Sequence, residues 1–300
     1  MHALEYFLCD VFTRQRLSGN QLAVFPDAGD LSDEQMQAIA REMNLSETAF
    51  VLRRNTLTEA ARGYRVRIFT VKEELPFAGH PTLGTAAVIR RFISEDKRVG
   101  TVRLDENAGV VPVEFDDLQS SDEALHGEMT QPTAELGRFH AREVVAPALG
   151  LDAWDISPDL APQTVSTGMR CCVVPLRSVD QLKYMRLNAA KEAEALKATG
   201  AMFLYAIARE AEGIWQARMQ FYGGEDPATG SAAGCATAYL VGNGVEAPEK
   251  TIHFRQGMAI HRPSELFGRA KLTDGRVSEV RVAGCTVFVA RGRFFLERFT

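Results

Sequence analysis

The sequence predicts a soluble protein of two lobes that combine many β-strands with a few helices, and three observations predict it. Apolar and polar residues alternate in strand-like runs along the chain. A short glycine-containing pattern occurs twice, half a chain apart. Each copy opens into a charge-free stretch suited to a buried helix.

The elements follow in order. The first apolar run, Glu5-Tyr-Phe-Leu-Cys-Asp-Val-Phe12, lacks the basic start and small-residue cleavage site of a secretory signal, so it is read as part of the fold. Ser32 is placed to cap a surface helix, with Gln35 reaching back and Asn44 near its end. In Asn44-Leu-Ser-Glu-Thr-Ala-Phe-Val51 a polar turn passes into an apolar strand. Tyr64, Val66 and Ile68 alternate with Arg65 and Arg67, as a half-buried strand requires. The most polar stretch, Asp116 to Thr133, marks the boundary between an N-terminal lobe, 1–118, and a C-terminal lobe, 119–300, whose last strands are free to pack back on the first. A polar helix around Lys191 to Thr199 precedes a strand at Phe203-Leu-Tyr-Ala-Ile207. Trp215, Ala217, Met219 and Phe221 alternate with Gln216, Arg218 and Gln220. Val287–Ala290 and Arg293–Leu296 flank Arg291-Gly292 and read as a hairpin.

Three hundred residues can bury one large core or two modest ones, and 46% hydrophobic with 24% charged residues is the composition of a globular chain. A net charge of −5 and a pI near 5.8 offer no bulk attraction for nucleic acid or anionic lipid, so neither is an expected partner. No apolar run approaches the roughly 18 residues that span a bilayer. The five cysteines, 9, 171, 172, 235 and 285, are odd in number and form no CxxC pair, which argues against zinc and against a disulfide framework. A reducing cytoplasm is the expected setting.

The repeat is the informative feature. Pro81-Thr-Leu-Gly-Thr-Ala-Ala87 and Pro227-Ala-Thr-Gly-Ser-Ala-Ala233 share Pro-x-x-Gly-Ser/Thr-Ala-Ala at an offset of 146 residues, and an ionisable residue, His80 or Asp226, precedes each proline. No charge occurs from Pro81 to Ile89 or from Pro227 to Val245, so both helices are expected to be buried all round. A buried helix start needs acceptors for its first amides, and an anionic ligand supplies them with help from the helix dipole.

Glu47, at the mouth of a strand, reads either as a surface carboxylate or, taken with His80 and Asp226, as a general acid/base whose pKa partial burial would raise. Ser231 lacks a Gly-x-Ser-x-Gly elbow and reads as a ligand-binding or capping hydroxyl. Cys235 reads as a structural thiol. Histidines 2, 126, 140, 253 and 261 lack metal-ligand spacing, so no metal is expected. Neither glycine turn is a Walker loop or a Rossmann fingerprint, and no nucleotide cofactor is expected.

Over nearly its whole length the chain resembles the PhzF-like isomerases of phenazine biosynthesis. The resemblance is carried by Asp10-Val-Phe-Thr13, Ser18-Gly-Asn20, Asn44-Leu-Ser-Glu-Thr48, Ile68-Phe-Thr70, Leu75-Pro-Phe-Ala-Gly-His-Pro-Thr-Leu-Gly84, Glu225-Asp-Pro-Ala-Thr-Gly-Ser-Ala232, Gln256-Gly257 and Arg262-Pro-Ser264. It implies the diaminopimelate-epimerase-like fold: α+β, with two pseudo-symmetric lobes, each a sheet or open barrel wrapped around a central helix, and an active site in the cleft between lobes. It further implies a cofactor-independent isomerase, commonly a homodimer, that transfers a proton on a small carboxylate-bearing substrate. Glu47 matches the acid/base, His80 and Asp226 the other catalytic positions, and Ser46, Gly79, Gly230 and Ser231 the substrate-binding ones.

Two features depart from the family pattern. Val71 stands where proline often follows Phe-Thr, and Phe221-Tyr-Gly-Gly-Glu225 is shorter than the usual loop. Neither glycine turn carries a cysteine, which disfavours a two-thiol racemase. The alternatives left open are an epimerase with non-cysteine bases and a non-catalytic anion-binding protein.

Overall fold

The computed structural model describes residues 2–121, 123–221 and 224–296. The chain divides into two compact units, Met1–Thr130 with Ala283–Thr300, and Gln131–Val282.

The first unit contains β1 (His2–Val11), β2 (Asn20–Phe25), β3 (Glu47–Leu52), β4 (Tyr64–Phe69), β5 (Glu74–Leu75), β6 (Thr101–Glu106), β7 (Gly109–Phe115) and β8 (Ala124–Thr130), with helices α1 (Asp33–Met43), α2 (Thr56–Arg62) and α3 (Gly79–Val88). Strands β1-β2-β3-β4-β6-β7-β8 run side by side, and the C-terminal strand Arg276–Leu296 neighbours both β1 and β8. Eight strands therefore close into a barrel, which leaves no free edge.

Alternation in the strands sorts side chains to two faces. Ala23, Phe25, Phe50 and Phe69 join Met36, Ile39 and Ala40 of α1 in one cluster. Their neighbours turn to α3: a Cβ on Gly84 would stand 2.6 Å from a Leu22 methyl and 2.9 Å from a Val11 methyl, so any larger residue would have to push these side chains aside. Every residue of α3 is buried, in keeping with its lack of charge, and the helix is touched by β1, β2, β3, β6, β7 and β8. Each apolar side chain removed from water here contributes roughly 2 kcal/mol. The capping box at Ser32 and Gln35 starts α1, and Asn44, at φ 49°, ends it in the left-handed region.

The second unit contains α4 (Arg142–Val145), α5 (Val179–Tyr184), α6 (Ala189–Thr199) and α7 (Gly230–Gly242), with β9 (Glu135–Phe139), β10 (Gln163–Ser166), β11 (Arg170–Pro175), β12 (Phe203–Ala211), β13 (Ile214–Arg218), β14 (Gln220–Phe221), β15 (Gly224–Glu225), β16 (Ile252–Gln256) and β17 (Ser264–Thr273). Its sheet runs β17-β16-β13-β12-β11-β10-β9, with the start of the C-terminal strand beside β17. Helix α7 is touched by β9, β10, β11, β12 and β17, and all of its residues from Gly230 to Val241 are buried. A second cluster, including Val145, Leu149, Ile156, Val174, Leu182 and Leu204, joins the outer helices to this sheet. The fold class is thus the one expected, α and β elements with one charge-free helix at the heart of each unit.

The hairpin expected around Arg291-Gly292 does not form. One strand of 21 residues continues through it and pairs with β1 from Val11↔Thr286 to His2↔Leu296. Gly292 lies opposite Tyr6, whose ring stands 2.7 Å from where a Cβ would be, so the glycine makes room for a ring and not for a turn. The alternation from Trp215 to Phe221 also breaks: β13 ends at Arg218, and Gln220-Phe221 pairs separately with Gly224-Glu225. Tyr222 and Gly223 of the short loop lie outside the described residues. Among the described residues no helix is long and apolar enough to cross a membrane.

Candidate active site

In the first unit the structure brings Glu47 and His80 together. Glu47 opens β3, in parallel register with Leu22 of β2, and Ser46 just before it is half-buried. Gly79 and His80 form the first turn of α3, whose N-cap residue, Ala78, makes no side-chain cap. Nε2 of His80 stands 3.5 Å from Oε2 of Glu47, and both side chains are largely withdrawn from water, 3% and 9% exposed. Nδ1 of His80 is 3.2 Å from the Asn20 amide nitrogen. The Gln21 backbone also hydrogen-bonds the ring, which works against the effect of burial. Burial pushes the His80 pKa down to about 3, so the ring is neutral at ordinary pH. A neutral imidazole can donate a hydrogen bond to a carboxylate, or to developing negative charge, without adding a cation to the site.

Asp226, Gly230 and Ser231 belong to the second unit. Asp226 is buried, its amide donating to the Met219 carbonyl at 3.0 Å. Thr229 Oγ1 donates to Asp226 Oδ2 at 2.5 Å, which fixes the carboxylate. Gln256 holds the whole turn. Its Oε1 accepts from Tyr205 Oη at 3.0 Å and from the Thr229 amide at 3.1 Å, while its Nε2 donates to the Asp226 carbonyl at 2.8 Å and to Thr229 Oγ1 at 3.0 Å. Every hydrogen-bonding position of this fully buried amide is thereby used. Glu225 adds a paired ionic clamp, its two oxygens 3.0 and 2.5 Å from Nε and Nη2 of Arg218. Gly230 and Ser231 are the first two residues of α7, both buried, behind a Thr229 that provides no side-chain cap. The Gly230 carbonyl accepts from Nε2 of Gln131 at 2.8 Å.

Cys235 is a buried thiol that donates to the Val165 carbonyl at 3.4 Å and lies 3.4 Å from Thr167 Oγ1; burial pushes it up to about 11. It is a structural group. Among the described residues no cluster of His, Cys, Asp and Glu could hold a metal ion.

Sequence reasoning gave no role to Asn20 or Gln256, although both lie in the blocks that carry the family resemblance. It also missed Glu106, which ends β6 beneath α3. The signal for Glu106 was present: Val102, Leu104 and Glu106 share one face of an alternating strand, and that face is the core.

Comparison with known proteins places this geometry in context. The family described as phenazine biosynthesis-like protein (PhzC-PhzF) matches residues 9–292. A trans-2,3-dihydro-3-hydroxyanthranilate isomerase from Pseudomonas aeruginosa is 35% identical over 294 residues, covering 97% of this chain and 99% of that protein. The solved structure of a protein described as a predicted epimerase, also from Pseudomonas aeruginosa, is 35% identical and superposes with a TM-score of 0.84, covering 98% of this chain and 100% of the other. A hydroxyproline epimerase from Agrobacterium vitis, at 12% identity, shares the fold with a TM-score of 0.67 over 100% of this chain and 93% of its own. The architecture is therefore the diaminopimelate-epimerase-like fold.

Proposed function

The chain is an isomerase of the phenazine biosynthesis-like PhzC-PhzF family, and from that premise we propose that it moves a proton between two carbons of a small carboxylate-bearing substrate, with Glu47 as the general acid/base. The observation that carries this reading is the pair of Glu47 and neutral His80, 3.5 Å apart and out of water. Glu47 takes a proton from an activated C–H and returns it elsewhere on the same conjugated system. One carboxylate suffices for such a shift when the substrate keeps one face towards it, since proximity replaces a second base. His80 stabilises the charge that develops. The chemistry needs no cofactor, because base and hydrogen-bond donor are both supplied by side chains. Asp226 orients the substrate, and the amides of Gly230 and Ser231 at the uncapped start of α7 bind its carboxylate. Ser46 and Gly79 line the substrate beside Glu47 and His80. Five free, buried cysteines support a cytoplasmic setting.

Incorporation of solvent deuterium into candidate carboxylates tests the reading, with trans-2,3-dihydro-3-hydroxyanthranilate as the first compound. Glu47→Gln is expected to lower exchange by about 100-fold to 10,000-fold while leaving the unfolding midpoint near that of the wild type. Exchange that survives the substitution unchanged removes Glu47 as the proton carrier. Binding without exchange in the wild type supports a non-catalytic anion binder. Exchange that inverts a single carbon, without migration, supports an epimerase instead.

A further inference from the structure

Glu106 is a buried acid to which the mechanism above gives no task. It is 3% exposed, and its Oε1 stands 2.7 Å from Thr82 Oγ1. The same hydroxyl stands 2.7 Å from the carbonyl oxygen of Ala78, the N-cap residue of α3. Each of these oxygen–oxygen contacts needs a proton, and the hydroxyl has one. If Glu106 were ionised, one contact would set lone pair against lone pair. A protonated Glu106 removes the conflict: its O–H donates to Thr82, and Thr82 donates to Ala78. The other oxygen, Oε2, is buried without a hydrogen-bond partner among the described residues, which a neutral carbonyl oxygen tolerates far better than an anion does.

The surroundings agree. Helix α3 presents no charged side chain from Gly79 to Val88, its His80 being neutral, and β7 sets Gly109 opposite Glu106. From β4, Arg65 pulls towards ionisation, but its guanidinium is engaged with the Asp105 carbonyl at 2.9 Å and with the Asn107 side chain. Asp105, next along β6, pairs with Arg54 and Arg62, and Glu74 on β5 pairs with Arg67 and Asn107. Burial dominates and pushes Glu106 up to about 8.

We infer that Glu106 is kept as a neutral acid at the head of a hydrogen-bond chain, Glu106 to Thr82 to Ala78, which positions the first turn of α3 and with it His80. Glu106 is a positioning residue and touches no reacting atom. Its effect on turnover rests on the reading of Glu47 and His80 given above, whereas its protonation does not.

The experiment follows thermal unfolding against pH for the wild type, Glu106→Gln and Glu106→Leu, together with solvent-deuterium exchange. The native acid holds its proton to about pH 8, while an unfolded glutamate loses it near 4.5. Stability that the neutral acid contributes is therefore complete below 4.5 and is lost as pH rises through 8. The glutamine amide donates to Thr82 at every pH, so the Tm of Glu106→Gln is expected to rise relative to the wild type between pH 5 and 8. Parallel Tm profiles across that range overturn the inference. In exchange, the wild type is expected to lose rate above about pH 8 where Glu106→Gln does not, and Glu106→Leu to lose about tenfold in kcat with a smaller change in KM. An alkaline limb shared by wild type and Glu106→Gln overturns the positioning role. If no variant exchanges at all, the proposed function fails while the Tm profiles still decide the protonation.

Discussion

The starts of α3 and α7 repeat one pattern, Pro-x-x-Gly-Ser/Thr-Ala-Ala, and are supported by opposite kinds of chemistry. Around α3 the polar groups are titratable: Glu47, His80 and Glu106 are all buried, and which atom donates depends on where each proton sits. Around α7 the central group is an amide. Gln256 meets Tyr205, Thr229 and Asp226 with two donors and two acceptor contacts that pH does not change. The Arg218–Glu225 pair then ties the same turn to the Leu182 and Met185 carbonyls. One backbone design is thus compatible with a proton-dependent support and with a proton-independent one. The first suits a unit that handles protons, and the second suits a unit that holds a shape.

The sharpest way to break this comparison is to remove the amide. Gln256→Leu leaves the Thr229 amide, the Tyr205 hydroxyl and the Asp226 carbonyl short of a partner in a dry interior. At about 1–3 kcal/mol for each orphaned group, the loss should be on the order of 4 kcal/mol, the largest effect foreseen, and should be nearly the same at pH 6 and pH 9. Urea unfolding measures it directly. A leucine variant within 1 kcal/mol of the wild type would mean that Gln256 is a passenger in the turn.

Next in size is the acid response of the α3 start. The folded pKa of His80, about 3, lies below its ordinary 6.5, so between those values the unfolded chain binds a proton that the folded chain refuses. Stability is complete above 6.5 and falls as pH drops towards 3, by up to about 1.4 kcal/mol per pH unit, or about 2 kcal/mol at pH 5. Glu106 acts with the opposite sign from 4.5 to 8. His80→Gln, which carries no titrating group, is expected to flatten the acid side of the stability profile while leaving the alkaline side as it was. Equal slopes below pH 6.5 in variant and wild type would show that His80 titrates normally.

What the sequence disclosed and what it hid divide along the range of the interactions involved. The helix from Ser32 to Asn44 was legible because its capping box and left-handed end are fixed within a few residues. The two charge-free helices were legible because complete burial leaves a compositional mark. The turn expected at Arg291-Gly292 failed because the partner that straightens it, Tyr6, is distant in sequence. Asn20 meets His80 across 60 residues and Gln256 meets Tyr205 across 51, so no local pattern could assign their roles. Glu47 was legible as a candidate only, since its neighbour His80 had to be supplied by the fold. Glu106 lay open in the alternation of β6, but an acid at the end of a strand resembles a solvated one until α3 is laid over it.

The smallest effect isolates the difference most cleanly, because it makes one substitution at both starts. Thr82→Val and Thr229→Val each delete a single buried hydroxyl, and each should cost about 1 kcal/mol near pH 6. The Ala78 carbonyl still accepts from the Thr82 amide at 3.1 Å, and Gln256 still donates to the Asp226 carbonyl, so neither turn is left without support. Above pH 6 the two should part. In the chain inferred above the neutral Glu106 donates to the Thr82 hydroxyl, so Thr82→Val takes away the acceptor of the protonated acid, an effect present while Glu106 holds its proton and gone once that proton is lost near pH 8. The cost of Thr82→Val should therefore shrink from pH 6 to pH 9, whereas that of Thr229→Val, whose hydroxyl donates to the Asp226 carboxylate and accepts from the Gln256 amide, should stay level. Matched profiles for the two valine variants would place both starts under the same kind of control and dissolve the distinction between them.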